Sequence, residues 1–168
     1  MGRHAFILGI KANRQILWIC EVFHISDLQI EIQMGNQSCQ DNYYWKQLIA
    51  MFAVVGIKFE IHCWKEETEE IKAGLKFGKE KTTDWEFGTV IEGVIDDRFI
   101  DMLHHTTKPA DTEIYNKMTP YFSIFFANGF SSEHYGTEIH IVSKLVDDTR
   151  LTMLLEQLKS HSIVVHEF

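Results

Sequence analysis

The segment IKFEIHCW at residues 57–64 decides the fold class, because it alternates apolar and polar side chains. Its odd-numbered residues are all apolar, whereas the even-numbered Lys58, Glu60 and His62 are polar. Successive side chains of a strand point to opposite faces, so this alternation predicts a half-buried β-strand. LQIEIQM at 28–34 and TEIHIV at 137–142 alternate in the same way. The sequence therefore predicts a sheet with one apolar and one polar face.

Segments with a helical pattern lie between these strands. YYWKQLIAMFAVV at 43–55 and the charged EETEEIKAG at 66–74 are two predicted helices. Asp96 stands directly before DRFIDMLHH, where an aspartate can cap a helix. Near the end of the chain, leucines three and four residues apart predict a buried helical stripe, formed by Leu151, Leu154, Leu155 and Leu158. Strands mixed with helices indicate an α+β fold.

The C-terminal half has an ordered pattern of its own. Strands are predicted at 85–95, 121–127, 137–142 and 162–168, and NGFSSEHYG at 128–136 is predicted to be a connection. With the two helices, the order is β-α-β-β-α-β, which is the ferredoxin-like arrangement. We therefore expect an antiparallel sheet with helices on one face and a ferredoxin-like C-terminal half.

The domain organisation allows two descriptions. AFILGI at 5–10 and QILWICEVF at 15–23 predict an N-terminal hairpin, and LKFGKEKTTDW at 75–85 resembles a linker. These features divide the chain into an α+β lobe at 1–80 and a ferredoxin-like lobe at 81–168, with a boundary near 78–84. Alternatively, the two lobes form one fused domain.

Composition narrows the partners and the compartment. The 168 residues include 16 basic and 24 acidic ones, so the formal charge of −8 repels a phosphate backbone and we expect no nucleic-acid partner. The first apolar run is shorter than a signal peptide requires, and no run is long enough for a membrane span. Cys20, Cys39 and Cys63 lack metal-binding spacing, which is typical of reduced thiols. We expect a cytoplasmic protein with no membrane contact and no cofactor.

The tripeptide Glu-Ile-His occurs twice, as Glu60 to His62 and as Glu138 to His140. Carboxylate and imidazole groups bind zinc, iron or manganese, so four such groups could form a metal site if the two strands were close. They could also bind an organic ligand, or simply be the polar side chains of two strands. We predict the last of these. A related EIQ at 31–33 leaves open whether the halves arose by duplication.

No complete catalytic motif accompanies these pairs, so protein binding is the leading functional hypothesis. Phosphate-binding loops, G-x-S-x-G and H-E-x-x-H are all absent. We expect a non-enzymatic, acidic binding protein, such as a regulator, an inhibitor or an immunity-type protein. Its predicted partner surface comprises Tyr121, Phe125, Phe130 and Tyr135. The alternatives are a small hydrolase, with or without a metal, that uses the Glu/His pairs, and a small-ligand-binding domain.

Overall fold

A computed structural model describes residues 28–34, 40–110, 116–143 and 149–167 of the chain. These residues form eight strands and four helices. In chain order they are β1 (Leu28–Gln33), α1 (Tyr43–Phe52), β2 (Lys58–Trp64), α2 (Thr68–Gly74), β3 (Gly78–Lys81), β4 (Gly88–Val94), α3 (Asp97–His105), β5 (Ser123–Phe126), β6 (Phe130–Glu133), β7 (Glu138–Ser143), α4 (Thr149–Ser160) and β8 (Val164–Glu167).

All eight strands belong to one sheet, in the order β3-β4-β2-β5-β6-β7-β1-β8. Each neighbouring pair is antiparallel. β2 of the predicted N-terminal lobe lies between β4 and β5, and β1 lies between β7 and β8. Both predicted lobes therefore contribute strands to one sheet, and β1 and β2 each lie between strands of the C-terminal lobe. The division of the lobes at residue 80 stays a prediction.

The helices cover one face of this sheet, as the alternating strands require. Side chains of α1, α3 and α4 share a hydrophobic core with the apolar side chains of the strands. α2 joins them through Gly74, where the Cβ of an added side chain would lie 2.7 Å from Ile91 and 3.6 Å from Ile61. The leucine stripe of α4 is confirmed, since Leu151, Leu154, Leu155 and Leu158 are all at least 93% buried. Full burial of one leucine contributes about 1.5–3 kcal/mol.

The predicted start of α3 is also confirmed. Asp96 has an extended backbone, and its side chain accepts a hydrogen bond of 2.8 Å from the backbone N–H of Phe99. This bond satisfies a donor that has no partner inside the first turn of a helix. It also fixes the helix so that Phe99 stacks on Phe59 of β2, with ring centroids 4.0 Å apart. The Asp96 cap, which the local sequence predicts, therefore also helps to position a side chain of the core.

The ferredoxin-like arrangement predicted for the C-terminal half is not confirmed. Its elements run β4-α3-β5-β6-β7-α4-β8, so there is one strand more than predicted. β6 occupies part of the glycine-containing segment 128–136 predicted to be a connection, and it includes Ser131 and Ser132. Both serines are nevertheless buried, since β6 lies between β5 and β7. The segment predicted to be a connection therefore contains a central strand of the sheet.

The linker-like segment near residues 78–84 also contains a strand. Gly78 to Lys81 form β3, which pairs with β4 at one edge of the sheet. A side chain at Gly78 would collide with the backbone carbonyl of Glu92, so the close approach of the strands depends on glycine. Lysines on an edge strand disfavour pairing with another molecule. The charges that suggested a linker are therefore those of an edge strand.

The predicted strands at 5–10 and 15–23, together with Cys20 and Cys39, lie outside the described residues. Cys63 is described and is fully buried in β2. Its burial raises the pKa of the thiol to about 12, so the reactive thiolate is disfavoured at neutral pH.

Candidate functional site

The sheet face opposite the helices, here called the polar face, carries one continuous row of aligned side chains. Each member is the cross-strand partner of the next, from β3 at one edge to β8 at the other. The row consists of Lys79, Glu92, Glu60, Phe125, Ser131, His140, Glu31 and His166. Directly opposed side chains on a sheet lie about 4.5–5.5 Å apart at Cβ, so neighbours in this row interact.

Glu60 and His62 belong to a hydrogen-bonded group on this face. Lys81 Nζ donates to Glu60 Oε1 at 2.6 Å, and His62 Nε2 lies 3.3 Å from Glu60 Oε2. The hydrogen bond from Lys81 holds the pKa of Glu60 below its usual range, with a smaller effect from His62. The His62 ring packs against Phe125, with centroids 4.8 Å apart. Glu60 is therefore an ionised carboxylate whose two oxygens both have partners.

Glu138 and His140 lie on the same polar face, but the structure does not bring them to Glu60 and His62. β5 and β6 separate the two strands. Three strand spacings correspond to about 14 Å. His134 Nδ1 instead lies 3.0 Å from the Glu138 carboxylate. Within the described residues, no three or more His, Cys, Asp or Glu side chains are grouped so that they could hold a metal ion.

Three of the four residues of the predicted partner surface are buried in the structure. Tyr121, Phe130 and Tyr135 are exposed by only 3%, 1% and 7%, so they belong to the interior. Burial also raises the pKa of the Tyr121 hydroxyl to about 12. Phe125 alone of the four residues lies on the polar face and is half-buried. It is the one member of that predicted surface that a partner can reach.

An aromatic cluster that the sequence did not reveal packs at one end of the polar face. Trp64 contacts Trp85 and Phe122, with ring centroids 5.2 and 4.9 Å away. Trp85 comes from the β3–β4 connection and packs over Gly88, where any side chain would collide with its ring. The Trp85 ring also lies 5.7 Å from that of His62. The cluster therefore holds this connection against the sheet.

The two halves of the polar face differ in charge. β6, β7, β1 and β8 together contain four glutamates and no lysine or arginine. Glu31, Glu133 and Glu138 lie on the polar face, and we call this part of it the acidic half. The four remaining strands contain equal numbers of lysine and glutamate. The strand order thus separates the acidic half from the part of the polar face formed by β2, β3, β4 and β5, which we call the balanced half.

A strained turn connects β6 to β7. His134, Tyr135 and Gly136 have consecutive positive φ angles of 49°, 61° and 78°. This conformation is unfavourable for a residue as bulky as tyrosine. Hydrogen bonds on both sides maintain it: the Tyr135 N–H donates to the Phe122 carbonyl at 2.8 Å, and the Tyr135 carbonyl accepts from Met118 N at 2.8 Å. Tertiary contacts therefore determine the shape of this turn.

Glu67 joins the same turn to the start of α2. Its Oε1 accepts a hydrogen bond of 2.7 Å from the Tyr135 hydroxyl, and its Oε2 accepts one of 2.8 Å from the Trp64 N–H. Burial raises the pKa of Glu67 above its ordinary value, although both hydrogen bonds act in the opposite direction. The folded protein therefore holds a proton on Glu67 at pH values where the unfolded chain has lost it.

This shift predicts a pH-dependent effect of Glu67→Gln. A raised pKa in the folded state gives stability that is present below the unfolded pKa and lost as pH rises through the folded pKa. Glutamine can accept from Trp64 N–H and donate to Tyr135 without titrating. The stability of the variant relative to wild type should therefore increase from pH 4 to pH 7. Urea unfolding of both proteins across this range measures the difference, and a constant or decreasing difference would contradict the assignment.

Comparison with family models, curated proteins and solved structures found no match for this chain. None of the described helices combines the length and apolar character that a bilayer-spanning helix requires.

Proposed function

We propose that this protein is a non-enzymatic binding protein whose acidic half contacts a basic surface of a partner protein. The observation that carries the proposal is the charge separation on the polar face. Three adjacent strands, β6, β7 and β1, present a glutamate on this face, and neither they nor the neighbouring β8 contain a lysine or arginine. An acidic surface attracts and orients a basic partner, so it increases both the association rate and the specificity of binding.

The local arrangement of the glutamates supports a basic partner in particular. Glu133 and Glu138 are direct cross-strand partners, and like charges in this position destabilise a sheet. His134 Nδ1 lies 3.0 Å from the Glu138 carboxylate, and the Ser131 hydroxyl donates a hydrogen bond to Glu133. A lysine or arginine from a partner would lie between the two carboxylates and relieve their repulsion. The partner we infer therefore presents a basic segment, such as the rim of a basic active site or of a nucleic-acid groove.

The positions of the Glu-Ile-His pairs favour binding over hydrolysis. Glu60 and His62 lie about three strand spacings, roughly 14 Å, from Glu138 and His140. Groups that act on one substrate atom must be within hydrogen-bond reach of it. At this separation the two pairs do not form the four-residue site that the hydrolase alternative would use, which supports the binding proposal.

A labelled nona-arginine peptide provides a defined probe of the acidic half. Its affinity is measured by fluorescence anisotropy in low and moderate salt, for wild type and two triple variants. The first variant combines Glu31→Gln, Glu133→Gln and Glu138→Gln. The control combines Glu66→Gln, Glu80→Gln and Glu86→Gln, which changes the net charge equally at exposed positions outside the acidic half.

The first variant should bind the peptide about tenfold more weakly at low salt. Three exposed ion pairs at about 0.2–1 kcal/mol each give a loss of this size. The control should change the affinity less than twofold. Equal weakening by both variants would mean that only net charge attracts the peptide, and the proposal would then be wrong.

A further inference from the structure

A cavity of about 370 Å³ lies on the balanced half of the polar face, where β4, β2 and β5 run side by side. Its volume is at the small end of the range of ligand sites. The Phe125 ring and the exposed Val94 side chain supply apolar surface. The charged residues of the lining are Lys58, Glu60, Lys79 and Glu92. The cavity therefore combines apolar contacts with charged groups, as small-molecule sites do.

The charged side chains of this lining differ in whether they already have an ion-pair partner. Glu60 is paired with Lys81 at 2.6 Å, and Glu92 is paired with Lys79 at 3.3 Å. Within the part of the chain that the structure describes, no carboxylate lies within ion-pair distance of Lys58. Lys58 is exposed and directly opposes Val94 across the strands. The ammonium group of Lys58 is therefore the cation that remains available to a ligand.

We propose that this cavity binds a small monocarboxylate with an aromatic or aliphatic body. The ligand carboxylate would pair with Lys58, and its apolar body would pack against Phe125 and Val94. A cationic ligand would meet Lys58 and Lys79 and find both glutamates already paired. A multiply charged anion, such as a polyphosphate, would be repelled by Glu60 and Glu92. One negative charge on a small apolar body matches this lining best.

Two probes distinguish charge recognition from apolar contact. The acid 3-phenylpropionate and its uncharged amide are titrated into the full chain labelled with ¹⁵N. Amide shifts of Gly93 and Ala127, which line the cavity, report binding. The acid should bind about two- to fivefold more tightly than the amide, the size of effect expected for one exposed ion pair. Equal binding of both, or shifts that do not include the cavity, would overturn the proposal.

Lys58→Gln tests whether the ammonium group of Lys58 binds the ligand carboxylate. This variant should lose about two- to fivefold in affinity for the acid and none for the amide. Lys76→Gln is the matched control, because Lys76 is exposed and lies outside the cavity lining. It should bind both probes like wild type. An unchanged affinity of Lys58→Gln for the acid would overturn the assignment, and thermal unfolding checks that both variants remain folded.

A free acid and the C-terminal residue of a peptide present the same chemistry to this cavity. N-acetyl-glycyl-phenylalanine, with its carboxylate free, is therefore titrated beside 3-phenylpropionate. Tighter binding of the peptide would identify a peptide terminus as the source, and tighter binding of the free acid would identify a small metabolite-like acid. Both depend on Lys58, so loss of either in Lys58→Gln supports the site. This proposal does not rest on the acidic half, which lies on other strands.

Discussion

Replacing Trp45 with alanine should lower the free energy of unfolding by about 3–5 kcal/mol, the usual range for a buried tryptophan. Trp45 is completely buried in α1, within the hydrophobic core. Its indole N–H donates a hydrogen bond of 2.9 Å to the hydroxyl of Ser132 in β6. The side chain therefore joins a helix to a central strand by packing and by a buried hydrogen bond. Urea unfolding followed by circular dichroism measures the loss without depending on tryptophan fluorescence.

The hydrogen bond can be separated from the packing by milder substitutions. Trp45→Phe should leave the buried Ser132 hydroxyl without its donor, at a cost of about 1–3 kcal/mol for that group. Adding Ser132→Ala should recover part of this loss, because both polar partners are then absent. Tyr43→Ala is the control on the same helix, since Tyr43 is 54% exposed, and it should cost less than about 1 kcal/mol. A cost of Trp45→Ala no greater than that of the control would contradict the core assignment.

Leu154→Ala in α4 should cost about 2–5 kcal/mol, because it leaves a cavity beneath the last helix. Leu154 is 93% buried, whereas the adjacent Met153 is 60% exposed on the same helix. Met153→Ala is therefore a matched control that should change stability by less than about 0.5 kcal/mol. The two variants test which face of α4 meets the sheet. A loss below about 1 kcal/mol for Leu154→Ala would show that the wrong face has been assigned to the core.

The two proposed sites use different halves of one surface. The acidic half depends on Glu31, Glu133 and Glu138, whereas the cavity depends on Lys58 and Phe125. They can therefore be inactivated separately, and the failure of one would leave the other intact. Both depend on the strand order, which places β6, β7, β1 and β8 side by side and brings β2 between β4 and β5.

Local patterns in the sequence determined the strands and helices in which apolar residues recur at a regular spacing. Alternation predicted β1, β2 and β7 and also which of their side chains face the core, because side-chain direction in a strand depends only on position. Spacings of three and four predicted the buried leucines of α4, and Asp96 predicted the start of α3. These features require no knowledge of distant residues.

Only the tertiary structure decided which strands are neighbours. Alternation assigns a face to Glu60 and to His140, but the same alternation is compatible with many strand orders, so the separation of these residues depended on β5 and β6. Ser131 and Ser132 lie in a segment predicted to be a connection. The strands on either side of β6 bury them, and these strands are distant features that the local residues do not show. The left-handed Tyr135 depends on partners distant in sequence, including Glu67. Strand pairing, and burial where the local pattern is not periodic, depend on contacts across the whole chain and are not specified by local residue patterns.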